Sequence, residues 1–278
     1  MSGVAAPRGH RPLGLRIRRA LAGAGLPAYA ALALLFLQVP VIIVVLASIT
    51  TTSYLTVPPV GATLKWYWQV LGDESYRDAI VFSLALAVVA TLVALALGTA
   101  AAYALTRRRV PGAEAISAAL MAPLVFPAVV VAVALLQYYT LIGVRGSFAG
   151  LAIAHVLITL PYVVRSVLAS IAGADPALEE AARTLGADGW TAFRLVTLPL
   201  IKPGLVAGAI FSFIVSFDNV PVSIFLVSVR HTTLPVKIFT AVEHGIDPGI
   251  AAISTLLILA TGFCLVVAER WVGFHRFA

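Results

Sequence analysis

Six apolar runs divide this chain: residues 28–50, 79–105, 114–139, 148–171, 205–229 and 249–272. A bilayer core about 30 Å thick needs roughly 20 apolar helical residues to cross it, and each run reaches that length. Within hydrocarbon the backbone must satisfy its own hydrogen bonds, so such runs become helices rather than loops or open strands. The fold expected is all-α: a polytopic membrane protein with six transmembrane helices. Only 11% of the residues are charged, against roughly 25% in soluble domains, which excludes an ordinary soluble enzyme. One cysteine, Cys264, excludes an internal disulfide or a cysteine metal cluster.

The net charge of +7 reads as topology rather than as a nucleic-acid footprint. Residues 1–27 carry Arg8, Arg11, Arg16, Arg18 and Arg19 and no acid. The apolar run that follows exceeds the 7–15 residues of a signal-peptide core, so it reads as an uncleaved first helix. Six crossings from a cytoplasmic N-terminus leave only Lys65, Arg77, Arg145, Arg230 and Lys237 of the 19 basic residues outside. Arg107, Arg108, Arg109, Arg165, Arg183, Arg194, Lys202, Arg270 and Arg276 join the N-terminal arginines inside, and this bias places both termini in the cytoplasm. The expected division is a cytoplasmic segment, 1–27, and a membrane domain, 28–278. Pro123 and Pro127 should bend the third helix, and Trp66, Tyr67 and Trp68 mark a polar, aromatic outer loop over 51–78.

Residues 175–204 form the longest mixed polar stretch. Asp175 suits a helix cap with Pro176 at the first helical position, and Glu179 and Glu180 lie at the favourable end of the dipole. Leu178, Ala181, Ala182 and Leu185 recur on one face. Gly186 suits the stop, and Asp188-Gly189 turns into a second short helix, with Trp190, Phe193 and Val196 on one face, that ends at Leu198-Pro199. Here Glu180-Ala181-Ala182, then Gly186 after three residues, then Val196-x-Leu198-Pro199 after nine, resembles the EAA loop of ABC-importer permeases, with Val196 in place of Ile. The resemblance covers residues 79–268. It implies a coupling helix around Glu180, Ala181, Ala182, Gly186, Leu198 and Pro199 that docks on a cytoplasmic ATPase dimer. It further implies a second permease subunit, identical or related, and an extracytoplasmic solute-binding protein. ATP would be used by the partner, and the chain itself would need no cofactor. A bland amphipathic loop on lipid headgroups is the competing reading of the stretch.

Asp218-Asn219 falls in the fifth run. A carboxylate at membrane depth faces a pathway or a partner, or the pair caps a break at Pro221. SFDNVPVSIFL, and the run from Leu234-Pro235-Val236-Lys237 through Asp247-Pro248 to Thr255, resemble permeases of the polyamine and opine branch. That branch also imports aminoethylphosphonate, thiamine or ferric iron. Tyr138 and Tyr139 read as an interfacial belt or as part of the substrate route, with Asp218 and Asn219. His155 reads as a residue bonded between helices rather than a proton relay, and Arg107–Arg109 as a topology anchor, with a lipid-headgroup role secondary. Neither a phosphate loop, nor H-E-x-x-H, nor G-x-S-x-G occurs, so catalytic and metal-ligating residues are not expected. The expected role is the translocation subunit of an ATP-driven importer in the inner membrane. The rivals are a non-transporting scaffold or assembly subunit and a stand-alone proton-coupled carrier.

Overall fold

A computed structural model describes residues 13–107, 110–228, 231–245 and 247–272; these residues form helices and, among them, no strand. In order come α1 (Leu13–Ala47), α2 (Lys65–Gly72), α3 (Glu74–Arg107), α4 (Ala113–Val125), α5 (Ala128–Leu141) and α6 (Phe148–Ala172). Then follow α7 (Pro176–Thr184), α8 (Gly189–Ala192), a π-helical turn (Phe193–Thr197), α9 (Leu198–Leu200) and α10 (Lys202–Phe217). The chain closes with α11 (Ser223–Leu226), α12 (Leu234–His244) and α13 (Pro248–Val272). Arg8, Arg11, Arg108, Arg109, Arg230 and Arg276 lie outside the described residues.

The centre is α6 held between α3 and α10. In lipid, apolar surface gives no net drive to helix association, so close backbone approach through small residues takes its place. The buried positions of α10 are Gly204, Gly208, Ser212 and Ser216, one small residue every fourth position. On α3 the buried side includes Ala79, Ser83, Ala87, Ala90, Ala94, Gly98 and Ala102. A Cβ at Gly204 would stand 2.5 Å from the Ser166 carbonyl oxygen, and one at Gly98 would stand 2.8 Å from Val163 Cγ1. Both glycines are therefore required by the approach of α6.

The third apolar run is not one bent helix but two, α4 and α5, meeting at 104°. The residue before a proline is pushed out of the α region. Phe126, before Pro127, is accordingly extended at φ −77°, ψ 142°. The fifth run is likewise interrupted, because α10 stops at Phe217 and α11 resumes at Ser223. The outer loop read over 51–78 contains the helix α2, and the link between the fifth and sixth runs contains α12. α2 buries Val70 against Ala79, Leu234 and Ile253, and the Leu234 N–H at the start of α12 donates to Ser83 Oγ at 2.7 Å.

Among the described residues three helices are long and apolar enough to cross a membrane: Gly25–Ala47, Glu74–Arg107 and Phe148–Ala172. The count rises to five if each bent pair, α4 with α5 and Gly189–Leu200 with α10, is one crossing. α13 carries a shorter apolar stretch, Pro248–Phe263. The architecture is a polytopic helical membrane fold.

Candidate functional site

The sequence singles out two regions, the 175–201 junction and the break between α10 and α11. In the first, local chemistry sets α7 as read. Asp175 Oδ1 accepts from the Ala177 N–H at 2.9 Å, and Pro176 begins the helix. At the other end the Gly186 N–H reaches the Arg183 carbonyl (3.0 Å) and the Ala187 N–H reaches that of Ala182 (3.1 Å). Gly186 sits at φ +96°, the left-handed residue that this double closure requires. A Cβ there would meet nothing within 4 Å. The glycine thus answers to the turn and to no close approach among the described residues.

The orientation of α7 is the reverse of an ordinary surface helix. Its apolar face points away from the protein: Leu178 is 49% exposed, Leu185 is 90% exposed, and Ala181 lies with them. Its inward side carries Glu179, only 6% exposed. Tyr103 Oη on α3 donates to Glu179 Oε1 at 2.6 Å, and Thr197 Oγ1 on the π turn donates to Oε2 at 2.8 Å. Arg183 Nη2 donates to Oε1 at 2.9 Å, and Arg107 Nε stands 3.8 Å from Oε2. Burial alone would raise the Glu179 pKa. The hydrogen bonds from Tyr103 and Thr197 and the Arg183 charge outweigh it and hold the carboxyl below its ordinary range. Arg107 also donates to the Ala174 carbonyl at 3.1 Å. Read from the sequence as a topology anchor, this arginine also holds the junction together.

Glu180, the first residue of the EAA pattern, is exposed and makes no side-chain hydrogen bond among the described residues; Ala182 is half-buried. Asp188 Oδ1 accepts from the Thr191 N–H at 3.0 Å and starts the second short helix as expected. That helix does not end at Leu198-Pro199. It passes through the π turn, where the Leu198 N–H bonds the Phe193 carbonyl, and continues as α9 to Leu200. Proline brings no N–H for the ladder, and the wider turn stands just before Pro199. Leu198 is half-buried and Pro199 is exposed. Trp190 stacks on Phe193, whose ring meets Tyr103 edge-on at 5.0 Å. Together with Leu95, Thr99 and Leu205, Trp190 and Phe193 line an open apolar groove of about 480 Å³.

At the second region, Asp218 caps the end of α10 rather than lying within a helix, and its exposed side chain makes no hydrogen bond or ion pair among the described residues. Asn219 Oδ1 accepts from the Val222 N–H at 2.9 Å and so caps the break. His155, fully buried on α6, bridges that break: Nδ1 lies 2.8 Å from Ser216 Oγ and Nε2 lies 3.0 Å from Ser223 Oγ. The tyrosines separate. Tyr138 is 56% exposed, whereas Tyr139 is 4% exposed and packs with Leu86, Leu151 and Leu226. Tyr139 is therefore packed in the core of the chain rather than lying on its surface. Among the described residues, no three His, Cys, Asp or Glu side chains are grouped to hold a metal ion.

What the sequence does not show is the burial of Glu179, which reads there only as a dipole residue of the first turn. Its pairing with Arg183 is visible at i,i+4 spacing, but Tyr103 and Thr197 come from distant parts of the chain and carry no local signal.

A family model described as binding-protein-dependent transport system inner membrane component matches residues 94–275. The spermidine/putrescine transport system permease protein PotC of Escherichia coli K12 is 33% identical over 238 residues, covering 86% of this chain and 89% of that protein. The putrescine transport system permease protein PotI of the same strain is 32% identical over 241 residues, covering 84% and 85%. A crystal structure of a bacterial ABC transporter that imports the acidic polysaccharide alginate superposes with a TM-score of 0.72 at 18% identity, covering 95% of this chain and 99% of that one. That likeness speaks to the fold alone.

Proposed function

Because the chain belongs to the family of binding-protein-dependent transport system inner membrane components, and so is the membrane permease of an ABC importer rather than an enzyme, we propose how its two regions divide the work. The outward face of α7, with Leu178, Ala181 and Leu185 around Glu180 and up to Gly186, is where a cytoplasmic ATPase dimer docks. The observation that carries this is the inverted amphipathic helix: about 90% exposure of Leu185 on a short capped helix is costly unless a partner covers it. ATP is bound and hydrolysed by that partner, and this chain needs no cofactor of its own.

The finer topology proposed is six crossings with both ends in the cytoplasm and lipid around α1, whose apolar side chains from Leu26 to Ile43 are largely exposed. A second permease subunit completes the path, and a solute-binding protein delivers the solute from outside. Cysteines placed at Ser147 and Thr232 in a Cys264→Ser background should react with an impermeant thiol reagent from outside, and one at Ala187 should not. The opposite pattern would invert the assignment.

For the solute, the named relatives are spermidine/putrescine and putrescine permeases, and Asp218 adds a chemical reason. An exposed carboxylate beside a helix break, without a partner among the described residues, lowers the barrier for a cation and raises it for an anion. Polyamine-like cations are the class proposed, with Asp218, Asn219 and Tyr138 along the route. The test is uptake of labelled spermidine and putrescine into proteoliposomes holding the chain with the subunits that co-purify with it. The reading expects transport that requires both ATP and the binding protein. Uptake driven by a proton gradient without an ATPase would favour the carrier, and a complex that moves neither solute would favour the scaffold.

A further inference from the structure

We propose that Glu179, and not the neighbouring Glu180, is the positioning residue through which movement of α7 reaches the membrane helices. The inference rests on the reading that an ATPase docks on the outward face of α7. Glu179 is the one side chain of α7 that is buried. The other residues of the helix lie outward or, like Ala182, half-covered. A push on the outward face therefore reaches the rest of the protein chiefly through this carboxylate and the two chain ends.

Its partners are arranged for that task. Tyr103 stands on α3, four residues from its last residue, Arg107, and Thr197 closes the π turn that leads through α9 into α10. These are the two helices that hold α6 between them. Arg183, on α7 itself, fixes the rotamer of the carboxylate, and Arg107 joins Glu179 to the Ala174 carbonyl just before the α7 cap. An apolar contact lets surfaces slide. Hydrogen bonds to both oxygens of one carboxylate, from two directions, resist sliding and rotation together. Glu180, exposed and without a side-chain bond among the described residues, is placed to meet the docking partner instead.

The test uses the complex purified with its ATPase in lipid nanodiscs and needs no knowledge of the solute. A cysteine replaces Val220 at the α10–α11 break in a Cys264→Ser background, and its thiol-labelling rate is compared between nucleotide-free and vanadate-trapped states. In Glu179→Gln, which keeps the shape and one acceptor, the ATPase should remain bound and trap nucleotide. The nucleotide-driven change in labelling should fall by at least about fivefold, the lower end of ordinary coupling between sites. Tyr103→Phe and Thr197→Val each remove one tie and should give smaller losses. They also supply the readout if Glu179→Gln fails to assemble. An assembled Glu179→Gln complex with the full labelling change overturns the proposal, as does a loss that only follows the amount of complex formed. A parent complex whose labelling ignores nucleotide overturns it too. If the parent chain retains no ATPase, the docking reading itself fails and this inference falls with it.

Discussion

The junction at 175–201 and the break at 217–223 both interrupt regular helix, yet they use charge in opposite ways. At the junction the carboxylate is buried and fully engaged: Glu179 takes three hydrogen bonds and leaves Glu180 to the outside. At the break the holding is done by neutral groups, His155 with Ser216 and Ser223, and Asn219 with its own turn. The carboxylate there, Asp218, is left exposed. A charged, multiply bonded group suits a joint that must move as one body. A break pinned by neutral bonds leaves its carboxylate available to something that passes.

The largest effect that separates the two regions is expected at Glu179. Glu179→Leu leaves the Tyr103 and Thr197 hydroxyls without their acceptor and should destabilise by about 2–3 kcal/mol, to which the partly exposed Arg183 adds little. Glu180→Leu should stay within about 0.5 kcal/mol. Thermal unfolding in detergent reads both, and equal losses would erase the distinction between the two glutamates.

Next comes His155→Leu, which orphans two buried hydroxyls. An unsatisfied buried group costs about 1–3 kcal/mol. Each serine can turn back to a carbonyl of its own helix, so a combined loss near the lower end, about 1–2 kcal/mol, is expected in the same unfolding assay. A loss as large as that of Glu179→Leu would mean that the neutral clasp is as strong as the charged one.

Asp218→Asn should leave stability unchanged within about 0.5 kcal/mol, because the side chain has no partner to lose among the described residues. Its effect should appear in reconstituted uptake as a reduced rate for spermidine or putrescine. Full uptake by the well-assembled variant would remove Asp218 from the route, and a marked drop in stability would make it structural.

The smallest effect is that of pH on the junction. The folded-state pKa of Glu179 lies below its unfolded value. Its contribution to stability is therefore complete above the unfolded value and is lost as pH falls through the folded one. Facing it are Tyr103 and Arg107 from α3, Arg183 from α7 and Thr197 from the π turn, and the arginines stay charged throughout. Thermal stability should be flat from pH 6 to 8 as far as this carboxyl is concerned, and a Glu179-dependent loss should begin only in the acid range. A step near neutrality that disappears in Glu179→Gln would contradict the assignment of an ionised carboxylate.

The sequence carried more of the outline than of the interior. Apolar run lengths marked α1, α3 and α6, and the Asp175, Gly186 and Asp188 signals placed the ends of α7 and the start of α8, because caps are written in adjacent residues. The breaks were half legible: Pro127 and Pro221 flagged them, but proline alone does not say whether a helix bends or parts. For that reason nothing in the fifth run marks Asp218 as the end of a helix. The four-residue spacing of Gly204, Gly208, Ser212 and Ser216 was available as a packing signal and went unread. The Glu179 cluster was not legible, since Tyr103 stands 76 residues away and only the fold brings it near. The inverted face of α7 was hidden in the same way, because periodicity shows that a helix is amphipathic but not which side faces in.

Whether an ATPase covers that outward face is measured most directly by cross-linking from Leu185→Cys, in a Cys264→Ser background, within the complex as it exists in membranes. The account predicts a short-range disulfide or maleimide cross-link to the ATPase subunit, protected from soluble thiol reagent while that subunit is bound and exposed once it is stripped away. A Leu185→Cys that forms no such cross-link and reacts equally with and without the ATPase, or that labels from the extracytoplasmic side, would contradict it.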